Sequence, residues 1–94
     1  MVKLYVIAVY DVSVERVQEV CNLLKKYLHW KQRSVFEGEL KESQIISLER
    51  ELKNIIDPNY DQIILFIFRD KKYVKKRIIG QKEDLEHTDN IIIM

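Results

Sequence analysis

Asp11 is the residue whose type and position most directly suggest chemistry. It ends a run of apolar, largely β-branched and aromatic residues, LYVIAVY at positions 4–10, and such a run predicts a buried strand. Because a strand end is held by a rigid scaffold yet open to solvent, a carboxylate there is available for reaction. It could bind a divalent cation, accept a proton or cap the following turn, and the residues alone leave these three roles open.

The basic residues are clustered, although the net charge is only +1 and is not that of a histone-like binder. Positions 69–82 hold seven basic residues and one acid, and positions 83–89 hold four acids and neither Lys nor Arg. A second basic group comprises Lys25, Lys26, Lys31 and Arg33. Such clusters can contact phosphates, although for any single cluster a solvated surface is the favoured interpretation.

Cysteine and histidine offer little chemistry here. The single Cys21 excludes an internal disulfide and is interpreted as a small core residue on a helix. His29 and His87 are too far apart in the sequence to complete a zinc pattern with it. No apolar run approaches membrane-spanning length, and the chain enters its first strand without a leader. We therefore predict a cytoplasmic protein that does not associate with a membrane.

The elements that would position Asp11 follow from hydrophobic periodicity. A helix with Ser13 as N-cap carries an apolar stripe as far as Leu28. Residues 30–40 predict a bent strand or two short strands with a break near Arg33 and Ser34. A second helix is predicted over residues 43–56 and a second central strand over residues 62–68.

The C-terminal part of the sequence is less regular. Asp70 is expected to cap a single helical turn over residues 71–74, followed by a short strand at residues 77–79 that Gly80 ends. Residues 90–94 are apolar and β-branched, and are expected to pair with a sheet edge of the same chain, of a second protomer or of a partner.

This order of elements predicts an α+β protein with the ferredoxin-like split βαβ plan (βαββαβ) and an extra C-terminal strand. Residues 1–80 would form the domain and residues 81–94 a tail with an edge-pairing strand. The helices would cover one face of the antiparallel sheet. Since the central strands are apolar on both sides, the other face needs cover, and we predict a homodimer packed sheet to sheet.

The sequence resembles the CRISPR-associated Cas2 family, small adaptation proteins that partner the Cas integrase. The residues that carry the resemblance are VYD at 9–11, LKKY at 24–27, SVFEGEL at 34–40, LKNIID at 52–57 and KYVKKRIIG at 72–80. The specific signal is the SVFEG block following a Tyr-Asp strand end. The resemblance implies a ferredoxin-like homodimer. It also implies an Mg²⁺-dependent endonuclease of RNA or DNA, or a non-catalytic bridge between integrase subunits in spacer acquisition.

The resemblance also implies roles for individual residues. Asp11 would bind the metal and be catalytic, and Ser34, the second catalytic candidate, could orient a ligand or water. Tyr10 and Phe36 would support the site. The nucleic-acid-binding candidates are Arg16, Lys31 and Arg33. This chain departs from the pattern of the family in two places. Many relatives carry a pair of arginines early in the first helix, where this chain has Arg16 alone. Some relatives place a basic residue before the SVFEG block, where this chain has Trp30 and Lys31.

Each of these residues also has a structural interpretation. Asp11 could form an Asx-turn before the first helix, and Phe36 is favoured as core or dimer packing over base stacking. Tyr10 is interpreted as support for the strand end, Ser34 as a strand residue with a local hydrogen bond, and the two arginines as surface charge. The functional alternatives are an Mg²⁺-dependent nuclease and a nucleic-acid-binding scaffold that docks the integrase.

Overall fold

Five strands and two helices alternate in the order that the periodicity predicts. The computed structural model describes residues 3–70 and 73–80, with side chains for residues 3–69 and 77–80. The elements are β1 (Leu4–Asp11), α1 (Val14–Tyr27), β2 (His29–Gln32), β3 (Val35–Leu40), α2 (Glu42–Ile55), β4 (Gln62–Asp70) and β5 (Tyr73–Gly80). The break predicted near Arg33 and Ser34 is confirmed as the turn between β2 and β3.

The strands form one antiparallel sheet in the order β2-β3-β1-β4-β5. The first strand lies at its centre, between β3 and β4, as a strand apolar on both faces should. This arrangement confirms the predicted α+β, ferredoxin-like split βαβ plan. The fifth strand adds to the β4 edge.

The core lies between the two helices and one face of the sheet. Alternate residues of β1 and β4 are buried there, and each helix turns one apolar stripe towards them. The residues buried from the strands include Leu4, Val6, Ala8, Phe36, Ile63, Leu65 and Ile67, and those from the helices include Val20, Leu24, Ile45, Leu48 and Leu52. Such burial, rather than helix propensity, holds the helices in place.

The opposite face of the sheet is apolar and lacks a covering layer within the described residues. Tyr5, Ile7 and Val9 of β1 point to it, and in the register their β4 neighbours are Phe68, Phe66 and Ile64. All are half-buried or exposed, and the rings of Tyr5 and Phe68 meet edge to face at 6.0 Å. We call these six residues the open face.

The structure corrects one element of the tail. The helical turn predicted over residues 71–74 is wrong at Tyr73 and Val74, which begin β5 and pair with Asp70 and Phe68. Strand pairing prevails because Tyr and Val favour extended backbone next to an apolar strand. The strand predicted at 77–79 is confirmed as part of this longer β5, which ends at Gly80. Residues 71–72 and the whole tail, 81–94, lie outside the described residues.

Neither helix in the described part of the chain is long and apolar enough to cross a bilayer.

Candidate active site at the end of the first strand

Asp11 lies at the end of the central strand, paired in register with Gln62 at the start of β4. Because side chains alternate along a strand, it projects to the same side of the sheet as the open face. Its side chain is exposed. Among residues 3–69 and 77–80, no side-chain hydrogen bond or ion pair engages the Asp11 carboxylate, so its oxygens are available to a ligand.

The backbone just after Asp11 is fixed by a different carboxylate, that of Asp61. Asp61 is completely buried. Its Oδ1 accepts a hydrogen bond from the Ser13 amide at 2.9 Å, and its Oδ2 accepts one from the Asp57 amide at 2.9 Å. The Ser13 amide is the donor that an Asx-turn of Asp11 would need. Asp61, and not Asp11, therefore accepts the hydrogen bond from the Ser13 amide that the Asx-turn interpretation assigned to Asp11.

Arg16 completes the set of donors to Asp61. Its Nε donates to Oδ2, and one of its terminal nitrogens donates to Oδ1 at 3.1 Å. The Arg16 guanidinium holds the pKa of Asp61 well below its usual range, more strongly than burial raises it, and the Asp57 and Ser13 amides act in the same direction. The same hydrogen bond raises the pKa of Arg16. The pair is therefore charged at any physiological pH.

This geometry bears on the prediction that Arg16 contacts nucleic acid. Its side chain is 20% exposed, and it borders an open cavity of about 340 Å³ with Ser13, Glu15, Asp57 and Tyr60. Asp61 engages one edge of the guanidinium, formed by Nε and one terminal nitrogen, and the other terminal nitrogen lies 4.0 Å from Glu15, so only the remaining N–H groups can face the cavity. A phosphate contact by Arg16 remains a prediction.

Tyr10 supports the strand end from the helix side of the sheet. Its hydroxyl accepts a hydrogen bond from Cys21 Sγ at 3.2 Å, and its ring lies 6.2 Å from that of the buried Phe36. The contact with Cys21, together with burial, raises the pKa of Tyr10 to about 12. The phenol is therefore neutral at physiological pH and serves as a packing and hydrogen-bonding group.

The turn between β2 and β3 brings Ser34 next to the strand end. The Tyr10 amide donates to the Ser34 carbonyl at 3.1 Å, which extends the β1–β3 ladder by one step. Arg33, the preceding residue, is exposed and has a φ of 43°, a left-handed conformation uncommon for a residue with a side chain. Lys31 is exposed on β2. The structure thus places Ser34 beside Tyr10, the residue before Asp11, Arg33 in the same turn, and Lys31 on β2, the strand beyond β3.

The carboxylate of Asp11 fits a metal ion shared between two chains better than it fits a complete metal site within one chain. Within the described ranges, no three His, Cys, Asp or Glu side chains come together as a metal site. Mg²⁺ is often held by only one or two carboxylates, with water and substrate phosphate as the other ligands. An exposed, unengaged Asp11 meets that need if a second copy supplies the second carboxylate.

Asp61 is the site residue that sequence reasoning missed. In the sequence it stands between the predicted turn at residues 57–59 and the second central strand. Nothing in its type or spacing distinguishes it from Asp57, because its role depends on a contact with Arg16 across 45 positions.

The described residues form a small ferredoxin-like domain with an exposed carboxylate at the end of its central strand. Comparison with known proteins makes the assignment specific: residues 4–76 match the family model of CRISPR associated protein Cas2. The chain belongs to this family.

Relatives and solved structures agree with the assignment. CRISPR-associated endoribonuclease Cas2 of Methanothermobacter thermautotrophicus is 44% identical over 85% of this chain and 88% of its own length. The Methanosarcina acetivorans protein of the same name is 42% identical over 95% of this chain and 100% of its own. A crystal structure titled as that of cas2 matches 88% of this chain and 93% of its own, with a TM-score of 0.70 and 44% identity. A hypothetical protein of Thermus thermophilus, TT1823, matches with a TM-score of 0.65 and 29% identity, covering 86% of this chain and 98% of its own.

Proposed function

We propose that this protein is a metal-dependent endonuclease that hydrolyses phosphodiester bonds in RNA, with Asp11 as the metal-binding catalytic residue. The observation that carries the proposal is the exposed Asp11 carboxylate, whose capping role is taken by Asp61. A carboxylate that is exposed at a strand end, and that makes no hydrogen bond or ion pair with the described residues, is typical of a catalytic position. The curated relatives named as CRISPR-associated endoribonucleases support RNA as the substrate.

The site would be assembled by two copies of the chain. Asp11 projects from the same side of the sheet as the open face, and that face is apolar enough to bury against a second copy of itself. A two-fold axis through this contact makes the interface self-complementary and can bring the two strand ends together. Each protomer would then contribute one Asp11 carboxylate to a single Mg²⁺.

The chemistry follows from these groups. When bound, Mg²⁺ acts as a Lewis acid on a phosphoryl oxygen and makes a coordinated water more acidic. The two Asp11 carboxylates would hold the ion. The oxygen of an attacking water would bond to phosphorus and release a proton to solvent while one ester P–O bond breaks, and the departing oxygen would take up a proton. Ser34, adjacent through its backbone to Tyr10, could orient the water, and Arg33 and Lys31 could hold flanking phosphates.

The test is cleavage of labelled single-stranded RNA and duplex DNA in Mg²⁺ or in EDTA. We expect the wild type to cut RNA only with metal, and Asp11→Asn to lose roughly two orders of magnitude or more in rate. Glu19→Gln, an exposed acid on α1, serves as the matched control and should leave cleavage unchanged. Cleavage that persists in EDTA, or that survives in Asp11→Asn, would refute the proposal.

A second candidate function is a non-catalytic scaffold that binds nucleic acid and bridges Cas integrase subunits in spacer acquisition. The exposed cations on and near β2 favour it, because sequence-independent binding relies on phosphate contacts. It predicts salt-sensitive binding of duplex DNA that survives Asp11→Asn, and loss of integrase binding when residues 90–94 are deleted. Binding without any metal-dependent cleavage would favour this candidate over the nuclease.

A further inference from the structure

Trp30 is a large aromatic residue left exposed on an edge strand. It lies in β2, which pairs only with β3 among the described strands, and 58% of its surface is accessible. Its indole Nε1 donates a hydrogen bond to the Arg33 carbonyl at 3.0 Å. The ring is therefore held in one orientation across the turn and presents a fixed flat surface.

A pocket of about 280 Å³ opens beside this ring. It is lined by Gln18, Cys21, Lys25, Trp30 and Phe36. Its lining combines aromatic and apolar groups with one amide and one cation, the mixture that recognises a planar polar ligand. Pockets for drug-sized ligands span roughly 300–1,000 Å³, so this one suits a group no larger than a single nucleobase.

The charged residue in the lining of the pocket is a lysine, Lys25. The surrounding sequence, positions 20–36, holds Lys25, Lys26, Lys31 and Arg33 and no Asp or Glu. These four side chains are exposed, and none forms an ion pair with a described residue. Unneutralised cations around an aromatic surface complement a polyanion that carries flat groups.

We propose that Trp30 stacks on an unpaired base of a single-stranded nucleic acid while Lys25 and Lys31 contact the adjoining phosphates. The inference rests on the proposed function and deepens it, because it assigns a substrate-binding subsite at Trp30. A base within a duplex is already stacked on its neighbours and paired, so only an unpaired base can lie against this ring. The subsite lies on the helix side of the sheet with Cys21 and Phe36, whereas Asp11 projects to the opposite side, so a strand bound at both would pass around the Arg33–Ser34 turn.

Trp30 is the only tryptophan among the 94 residues, so intrinsic fluorescence reports on this ring alone. We would titrate Asp11→Asn protein in EDTA, which prevents turnover, with a labelled 12-nucleotide RNA, with DNA of the same sequence and with the duplex. We expect both single strands to quench the emission at saturation and the duplex to leave it nearly unchanged. Tighter binding of RNA than of DNA would indicate that the protein also contacts the 2′-hydroxyl. Equal binding would indicate that it contacts only the base and the phosphates.

Variants separate stacking from general attraction when binding is followed by anisotropy of the labelled strand. Trp30→Leu should weaken single-strand binding about tenfold, Trp30→Phe should restore most of it, and Ile46→Ala, exposed on α2, should have no effect. Lys25→Gln should weaken binding and lower its salt dependence by about one counterion. Lys53→Gln is the matched control, because both lysines lie in the last turn of a helix. Circular dichroism would verify that each variant is folded.

The outcomes are distinct from those that test the nuclease. Quenching by single strands without any cleavage by the wild type would retain this subsite and reject the nuclease. Single-strand binding without quenching, equal quenching by the duplex, or unchanged affinity in folded Trp30→Leu would each overturn the inference. Absence of binding to every strand would overturn it as well.

Discussion

Arg16 and Asp61 form an ion pair that fixes the loop after the catalytic candidate Asp11. Asp61 is completely buried, and it directly precedes Gln62, the β4 residue that pairs with Asp11. It also accepts the Ser13 amide, two residues beyond Asp11. One carboxylate thus constrains the backbone on both sides of the strand end, and the Asp11 side chain has no structural partner among residues 3–69 and 77–80.

The first prediction concerns stability. Asp61→Asn should lower the free energy of unfolding by about 3 kcal/mol, the lower end of the range for breaking a buried pair, because Arg16 retains some contact with water. Urea denaturation followed by circular dichroism measures this change. Glu42→Gln, which breaks exposed contacts with Arg69 and Arg77, should cost less than about 1 kcal/mol. Equal effects of the two substitutions would show that burial does not strengthen the Asp61 pair.

The second prediction concerns pH. Because the pKa of Asp61 is lowered in the folded state, the stability that its ionised form contributes is fully present above the unfolded-state value of about 3.9. It is lost as the pH falls below that value towards the folded pKa. The difference in unfolding free energy between wild type and Asp61→Asn should therefore be constant from pH 7 to 5 and shrink towards pH 3. A difference independent of pH would contradict the ion-pair assignment.

The third prediction concerns the close approach of β5 to the same loop. Gly80 has a φ of 111°, and a Cβ there would lie 2.1 Å from the Asp61 carbonyl oxygen. Gly80→Ala should lower the free energy of unfolding by at least about 2 kcal/mol, since backbone has to move and the conformation is strained. In Gly38→Ala the new Cβ would meet the end of the Leu28 side chain at 3.0 Å. That side chain can shift, so a smaller loss is expected, and a larger one would contradict this explanation.

The fourth prediction concerns the open face. If a second copy covers it, Phe66→Glu places a charge in a desolvated contact and should convert a dimer into a monomer. Sedimentation velocity over a range of concentrations measures the assembly state. Ile46→Glu, at an exposed position of α2, is the control and should remain dimeric. A wild type that sediments as a monomer at every concentration would contradict the sheet-to-sheet dimer.

Much of the fold could be predicted because the sequence carries two clear signals. The apolar runs of β1 and β4 and the helical stripes of α1 and α2 predict the layers, and the break at Arg33 and Ser34 predicts the hairpin. The length of β5 could not be predicted, because Tyr73 and Val74 are separated from Arg77 by lysines that mask the strand pattern. Here pairing with β4 decides the conformation, and local composition does not.

In the candidate site, too, some features follow from the local sequence and others depend on contacts between distant parts of the chain. The position of Asp11 at a strand end follows from local pattern alone, and the structure places it there. The role of Asp61 depends on α2, its following turn and α1 coming together in space, which no local pattern encodes. The register that places Ser34 beside Tyr10 likewise depends on the pairing of β1 with β3.

The proposed nuclease requires that Asp11 from two protomers bind one divalent cation. Calorimetric titration of the metal-free protein with Mn²⁺, used as a substitute for Mg²⁺, tests this requirement in wild type and Asp11→Asn. We expect one ion bound per two chains in the wild type and loss of this binding in the variant. Undiminished binding by Asp11→Asn, or one ion bound by every chain, would contradict it.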